Sequence, residues 1–203
     1  MPHQTILTVD PGLNGAFGIY SCPTQFSPPN GLGAPHIVET YQTPHFEQKR
    51  RHKADTGVET LIDQQTLSDW LNYSVQAHQP IAAYIEEPLV LSQQSSKAAF
   101  KMGVGWQSWL NLLEEHFTPN PTQSRKPPYT YIDPRKWKKA IQKAHRPPHG
   151  KNKSEESVLL AESIYSESYD DPPEKYFRGP RGGLLDGPAD TFLFAVYVYN
   201  YLK

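Results

Sequence analysis

TILTVDPGLNGAFGIY, residues 5–20, is the stretch whose reading decides the fold. Ile6, Leu7, Thr8 and Val9 form a short apolar, partly β-branched run, and residues 15–20 have the same character, so each half predicts a strand. Between them Asp10-Pro11-Gly12-Leu13-Asn14 is turn chemistry. Asp and Asn bond their own backbone, Pro fixes φ, and Gly12 and Gly15 supply the freedom a tight hairpin needs. Asp10 therefore closes a strand at the mouth of a turn.

Outward from this hairpin, residues 21–35 are rich in Pro and Gly and read as a loop, after which 36–42 fits a third strand. Residues 43–56 are polar and basic, a mobile connection. Leu61, Ile62, Leu67, Trp70, Leu71 and Val75 recur near a 3.6-residue period, predicting a helix over 58–77. Residues 81–85 are a continuous apolar run of the kind buried on both faces of a parallel sheet, and Glu86 ends it. A helix follows that starts at Lys97 and ends at His116, then a Pro-rich link over 118–128 and a short strand over 129–132. Pro134 suits the first turn of a helix reaching 144. A basic loop over 146–153, a helix over 154–168, an irregular stretch over 170–183 and a last helix over 188–199 complete the chain. A meander followed by strands alternating with helices predicts an α/β chain: a mixed five-stranded sheet flanked by helices, the plan of the ribonuclease H-like fold.

The 203 residues suit one domain spanning 1–203. The lone Cys22 excludes an internal disulfide and a cysteine-rich zinc site. No apolar run approaches the ~20 residues of a membrane span, and residues 1–20 do not read as a signal peptide, so the expected compartment is cytoplasmic. The net charge is only −1, but ten of the 20 Lys and Arg residues fall between Arg125 and Lys153 against one acid, Asp133. A second basic cluster is Lys49-Arg50-Arg51-His52-Lys53. Such patches are either solvated faces or phosphate-binding surfaces.

Asp10, Glu86, Asp186 and Asp190 each stand at the mouth of an apolar element, far apart in sequence. Singly they have bland readings: Asp10 as a turn residue, Glu86 as a surface strand end, Asp186 and Asp190 as acids favoured by a helix N-terminus. If the strands over 5–9 and 81–85 are parallel neighbours, Asp10 and Glu86 emerge at one edge, and the last helix can bring Asp190 to both. Converging carboxylates repel and must hold cations, and an all-oxygen set favours Mg²⁺, or Mn²⁺ in its place. Two such ions are the chemistry of phosphodiester hydrolysis.

TILTVDPGLNGAFGIY (5–20), AAYIEEP (82–88) and LLDGPADTFLFAVY (184–197) resemble the acidic motifs of the RuvC family of Holliday-junction resolvases. YIDPRKWKKAI (131–141) and KNKSEESVLLAESIY (151–165) are similar to the segments that phage-borne and plastid-type members place before the last motif. The resemblance implies a homodimeric, magnesium-dependent endonuclease that nicks opposed strands of four-way junction DNA symmetrically. It assigns Asp10, Glu86, Asp190 and Asp186 to a site with two Mg²⁺ ions, and sets Lys138 and Lys153 near the scissile phosphate. Lys136, Lys139 and Lys151 join them as expected DNA contacts, and the helix from Lys97 to His116 is the expected dimer contact. The bacterial form commonly spaces its last acids three apart, whereas Asp186 and Asp190 are four apart, which puts Asp186 outside the helix read from Pro188. Phe100 and Trp106 on the dimer helix are open to two readings, packing or stacking on unpaired bases. The competing functions are a ribonuclease H-like nuclease for other branched DNA or RNA, a junction-binding module that does not cut, and an actin-like sugar kinase, for which 203 residues are too few.

Overall fold

A computed structural model describes residues 3–12, 14–23, 33–49, 58–89, 95–117, 129–146 and 148–202. In chain order the elements are β1 (His3–Asp10), β2 (Ala16–Pro23), β3 (His36–Gln42), β4 (His45–Lys49), β5 (Val58–Ile62), α1 (Gln64–His78), β6 (Ala82–Glu86), α2 (Ser96–His116), β7 (Tyr129–Ile132), α3 (Pro134–Ala144), α4 (Lys153–Ser166), α5 (Glu174–Phe177) and α6 (Asp186–Tyr201). The main sheet has the order β3-β2-β1-β6-β7. β1 runs antiparallel to β2 and parallel to β6, and β6 runs parallel to β7, so the sheet is mixed as the sequence predicts.

The two-residue period of β1 divides the core. Leu7 and Val9 face one side, with Phe17, Ile19, Ala83 and Ile85, and meet Leu67 and Leu71 of α1 and Trp109, Leu110 and Leu113 of α2. Ile6, Tyr20, Ile37 and Ile132 face the other side and meet Trp137 and Ile141 of α3, Ile164 and Tyr165 of α4, and Phe192 and Val196 of α6. Helix α6 is buried around most of its circumference, which explains its almost unbroken apolar sequence. Its polar groups are bonded inward: the Thr8 hydroxyl donates to the Thr191 carbonyl at 3.0 Å, and the Tyr20 hydroxyl donates to Thr191 Oγ1 at 3.0 Å.

The structure corrects four expectations. Residues 58–62 are not helical. They form β5, which pairs antiparallel with β4 in a separate two-stranded sheet, so His45–Lys49 is ordered rather than a mobile connection. The helix begins only after Asp63, whose carboxylate accepts from the Thr66 N–H at 3.1 Å and from its hydroxyl at 2.9 Å. A short helix, α5, interrupts the stretch read as irregular. The last helix starts at Asp186, not Pro188, which places Asp186 and Asp190 one turn apart on the same helix. The basic cluster from Arg50 to Lys53 and the Pro-rich link lie outside the described residues.

Candidate active site

Parallel pairing sets the first two acids. β1 and β6 align Val9 with Ile85, so Asp10 and Glu86, the next residue on each strand, leave the sheet side by side. The Gly12 N–H donates to Asp10 Oδ1 at 3.3 Å, and the Gly15 N–H closes the turn on the Gly12 carbonyl at 3.0 Å. Helix α6 supplies the third acid because its N-terminus lies against this turn. A Cβ placed on Gly187 would sit 2.5 Å from the Asn14 carbonyl oxygen and 2.9 Å from the Gly15 carbonyl carbon and oxygen. Only glycine permits that approach, and it brings Asp190 to the sheet edge.

Between the acids stands a cation from α3. Lys138 Nζ lies 3.2 Å from Asp190 Oδ2, and its charge also acts on Glu86 and Asp10. It rests over the Trp137 ring, 4.9 Å from the centroid. Trp137 itself turns inward, and its indole Nε1–H donates to Glu86 Oε2 at 2.9 Å. The other Asp190 oxygen, Oδ1, is buried without a hydrogen-bond partner.

The electrostatics are those of a site short of positive charge. Burial pushes the Asp10 carboxyl up to about 7, the charges of Glu86 and Asp190 push the same way, and Lys138 and the Gly12 N–H oppose them. Burial likewise raises Glu86, with Asp190 and Asp133 adding to it and Lys138 and the Trp137 N–H working against it. Lys138 stays above the ordinary lysine value: burial disfavours its charge, but Asp190, Glu86 and Asp10 together outweigh burial.

Asp186 is held differently. Its Oδ2 accepts from the Ser154 hydroxyl at 2.8 Å, which ties it to the start of α4, and its Oδ1 accepts from the neighbouring Gly187 N–H at 3.2 Å. It nonetheless shares a cleft of about 270 Å³ with Asp190, lined also by Lys138 and Lys153 at the rim and by Ile141 and Leu193 deeper in. Lys136, Lys139 and Lys151 are exposed and do not line that cleft. His149 is exposed and His145 half-buried, and neither lines it. Two partners escaped the sequence reading, Trp137 and Ser154. Trp137 falls in the buried 134, 137, 141 row of α3, so its pattern is that of an ordinary core residue.

Among the described residues no three His, Cys, Asp or Glu side chains stand close enough to hold a metal ion jointly. The Lys138 ammonium stands among these acids, 3.2 Å from Asp190 Oδ2. The donor set still suits a hard divalent cation: every atom is a carboxylate oxygen, and one buried oxygen has no partner.

No protein-family model matches the sequence, and no curated protein matches it. Among solved structures 22 chains match. RuvC of Thermus thermophilus in complex with a Holliday junction substrate matches over 98% of this chain and 95% of its own, with a TM-score of 0.54 and 15% identity. A second Thermus thermophilus RuvC structure covers 96% and 95%, with a TM-score of 0.49 and 15% identity. The chain has a ribonuclease H-like fold. Within that class the fold is RuvC-like, as the ordered acidic motifs led us to expect.

Proposed function

We propose that the chain is a single nuclease domain, a metal-dependent endonuclease that resolves four-way DNA junctions by paired, symmetric nicks. One observation carries this reading: carboxylates from β1, β6 and α6 stand near one another at one edge of a RuvC-like sheet, close enough to act on each other's charge, with a lysine drawn in among them. Asp10, Glu86 and Asp190 are the residues that would hold the cations, with Asp186 beside them in the cleft. A pair of Mg²⁺ ions, or Mn²⁺ in their place, supplies the charge that neutralises a phosphodiester and makes water a nucleophile near neutral pH.

The chain's own groups do the rest. Lys138 and Lys153 flank the cleft and attract the scissile phosphate, while Lys136, Lys139 and Lys151 extend the positive surface along the DNA backbone. Helix α2 exposes Phe100 (72%) and Val104 (48%), one turn apart, an apolar face suited to a second copy of the chain. A twofold dimer would set two such sites on opposed strands of one junction. Among the described residues no helix is long and apolar enough to cross a membrane.

The test is a synthetic four-way junction with a mobile core, each strand end-labelled in turn, incubated with and without Mg²⁺. We expect nicks at symmetric positions in two opposed strands, none in EDTA, and no cutting of a linear duplex carrying the same sequence. An intact junction in Mg²⁺, or a duplex cut as quickly as the junction, contradicts the reading.

A further inference from the structure

The structure places one unassigned side chain in direct contact with the acidic cluster. Trp137 is 1% exposed, its ring stacks on Phe194 (centroids 5.7 Å, planes 25° apart), and its single polar atom points at Glu86. A buried indole N–H needs an acceptor. Here the acceptor is one particular carboxylate oxygen, Oε2, 2.9 Å away.

We propose that Trp137 is a positioning residue that divides the labour of the two Glu86 oxygens, holding Oε2 in a neutral hydrogen bond so that Oε1 is turned toward the cation. This inference rests on the metal-dependent reading above. Glu86 ends a strand, where its side chain has several rotamers open to it, and β6 itself does not choose among them. The indole does choose. It is locked by Phe194 on its face and by the helix that carries it, whose first turn is fixed by Pro134 and by the Asp133 carboxylate accepting from the Arg135 N–H at 2.8 Å. A neutral donor suits this task better than a second lysine would, since it orients the ligand without adding a charge that competes with the metal. Partners of this kind set the orientation and basicity of metal-binding carboxylates.

Trp137→Phe keeps an aromatic ring against Phe194 but removes the indole N–H together with its five-membered ring, so the lost hydrogen bond comes with a small cavity. We expect Mn²⁺ binding to the full-length protein, followed by calorimetry or by the paramagnetic signal of free Mn²⁺, to weaken about 10- to 100-fold. The melting temperature in EDTA, which reports the lost packing and hydrogen bond without the metal, should fall by several degrees, so Mn²⁺ binding is read well below both melting points. The decisive comparison uses Glu86→Ala as background, where adding Trp137→Phe should cause no further loss of Mn²⁺ affinity. This holds even if Trp137→Phe also costs some stability. Equal Mn²⁺ affinity in Trp137→Phe and wild type overturns the proposal, as does an undiminished loss in the Glu86→Ala background. If wild type itself binds no Mn²⁺, the metal site falls and this inference with it, an outcome distinct from the other two.

Discussion

Asp10→Asn should abolish junction cleavage, lowering its rate at least about a thousandfold, the effect of losing about 4 kcal/mol of transition-state stabilisation. Junction binding should stay intact or tighten, because the change removes a negative charge from the surface that meets phosphate. Band-shift titration in Ca²⁺ and single-turnover cleavage in Mg²⁺ separate the two effects. Retained cutting at ordinary Mg²⁺ would remove Asp10 from the mechanism.

The same substitution carries a signed prediction about stability. Asp10 is pushed from 3.8 to about 7 in the folded chain. Between those values the native state holds a proton that the unfolded state has lost, so Asp10 costs stability as pH rises from about 4 to about 7. Asparagine has no such cost. In EDTA at pH 8 Asp10→Asn should therefore melt above wild type, by about 1–2 kcal/mol once partial access to water is allowed for, and the gap should close toward pH 4. Cleavage by wild type should show the opposite slope. Protons compete with the cation for Asp10, so the rate should rise with pH up to or below about 7, with a midpoint that falls as Mg²⁺ is raised.

Gly187→Ala should be nearly as damaging to activity, though Gly187 has no chemistry. Its added methyl would meet backbone atoms of Asn14 and Gly15 at 2.5–2.9 Å, and neither can rotate out of the way. The start of α6 must lift from the β1–β2 turn, taking Asp186 and Asp190 with it. We expect a loss of about 1–3 kcal/mol from overpacking, visible as a fall in melting temperature of several degrees, with cleavage reduced far more than that loss alone would cause. Gly103→Ala is the matched control. Nothing lies within 4 Å of a Cβ there, so alanine in the middle of α2 should stabilise by up to about 1 kcal/mol. Similar melting of the two variants would show that the α6 contact is looser than its geometry implies.

What the sequence made legible follows from how locally each feature is encoded. The hairpin over 5–20 could be read because its turn residues and flanking apolar runs lie together, and the parallel neighbour over 81–85 because a doubly covered strand is uniformly apolar. Asp10 and Glu86 were found through their place at the ends of those runs. The β4–β5 pair was missed because Leu61 and Ile62 continue the 3.6-residue spacing of α1, while the signal that separates them is a single cap, Asp63 bonding Thr66. The start of α6 was misplaced by two residues because Pro188 suits a first helical turn, and what admits Asp186 and Gly187 to the helix is contact with the distant β1–β2 turn. Trp137 was invisible as a site residue, since a buried aromatic on an amphipathic helix reads as core until the position of its one nitrogen is known. Lys138 was noticed, but its seat among the acids depends on the packing of α3 against α6.

In the proposed nuclease, carboxylates distant in sequence come together to hold divalent cations. Crystals of the protein soaked in Mn²⁺ and measured at the manganese absorption edge test it most directly. We expect anomalous density bounded by Asp10, Glu86 and Asp190, with Lys138 drawn away from Asp190. Well-ordered acids with no anomalous density among them, and Lys138 still bonded to Asp190, would contradict it.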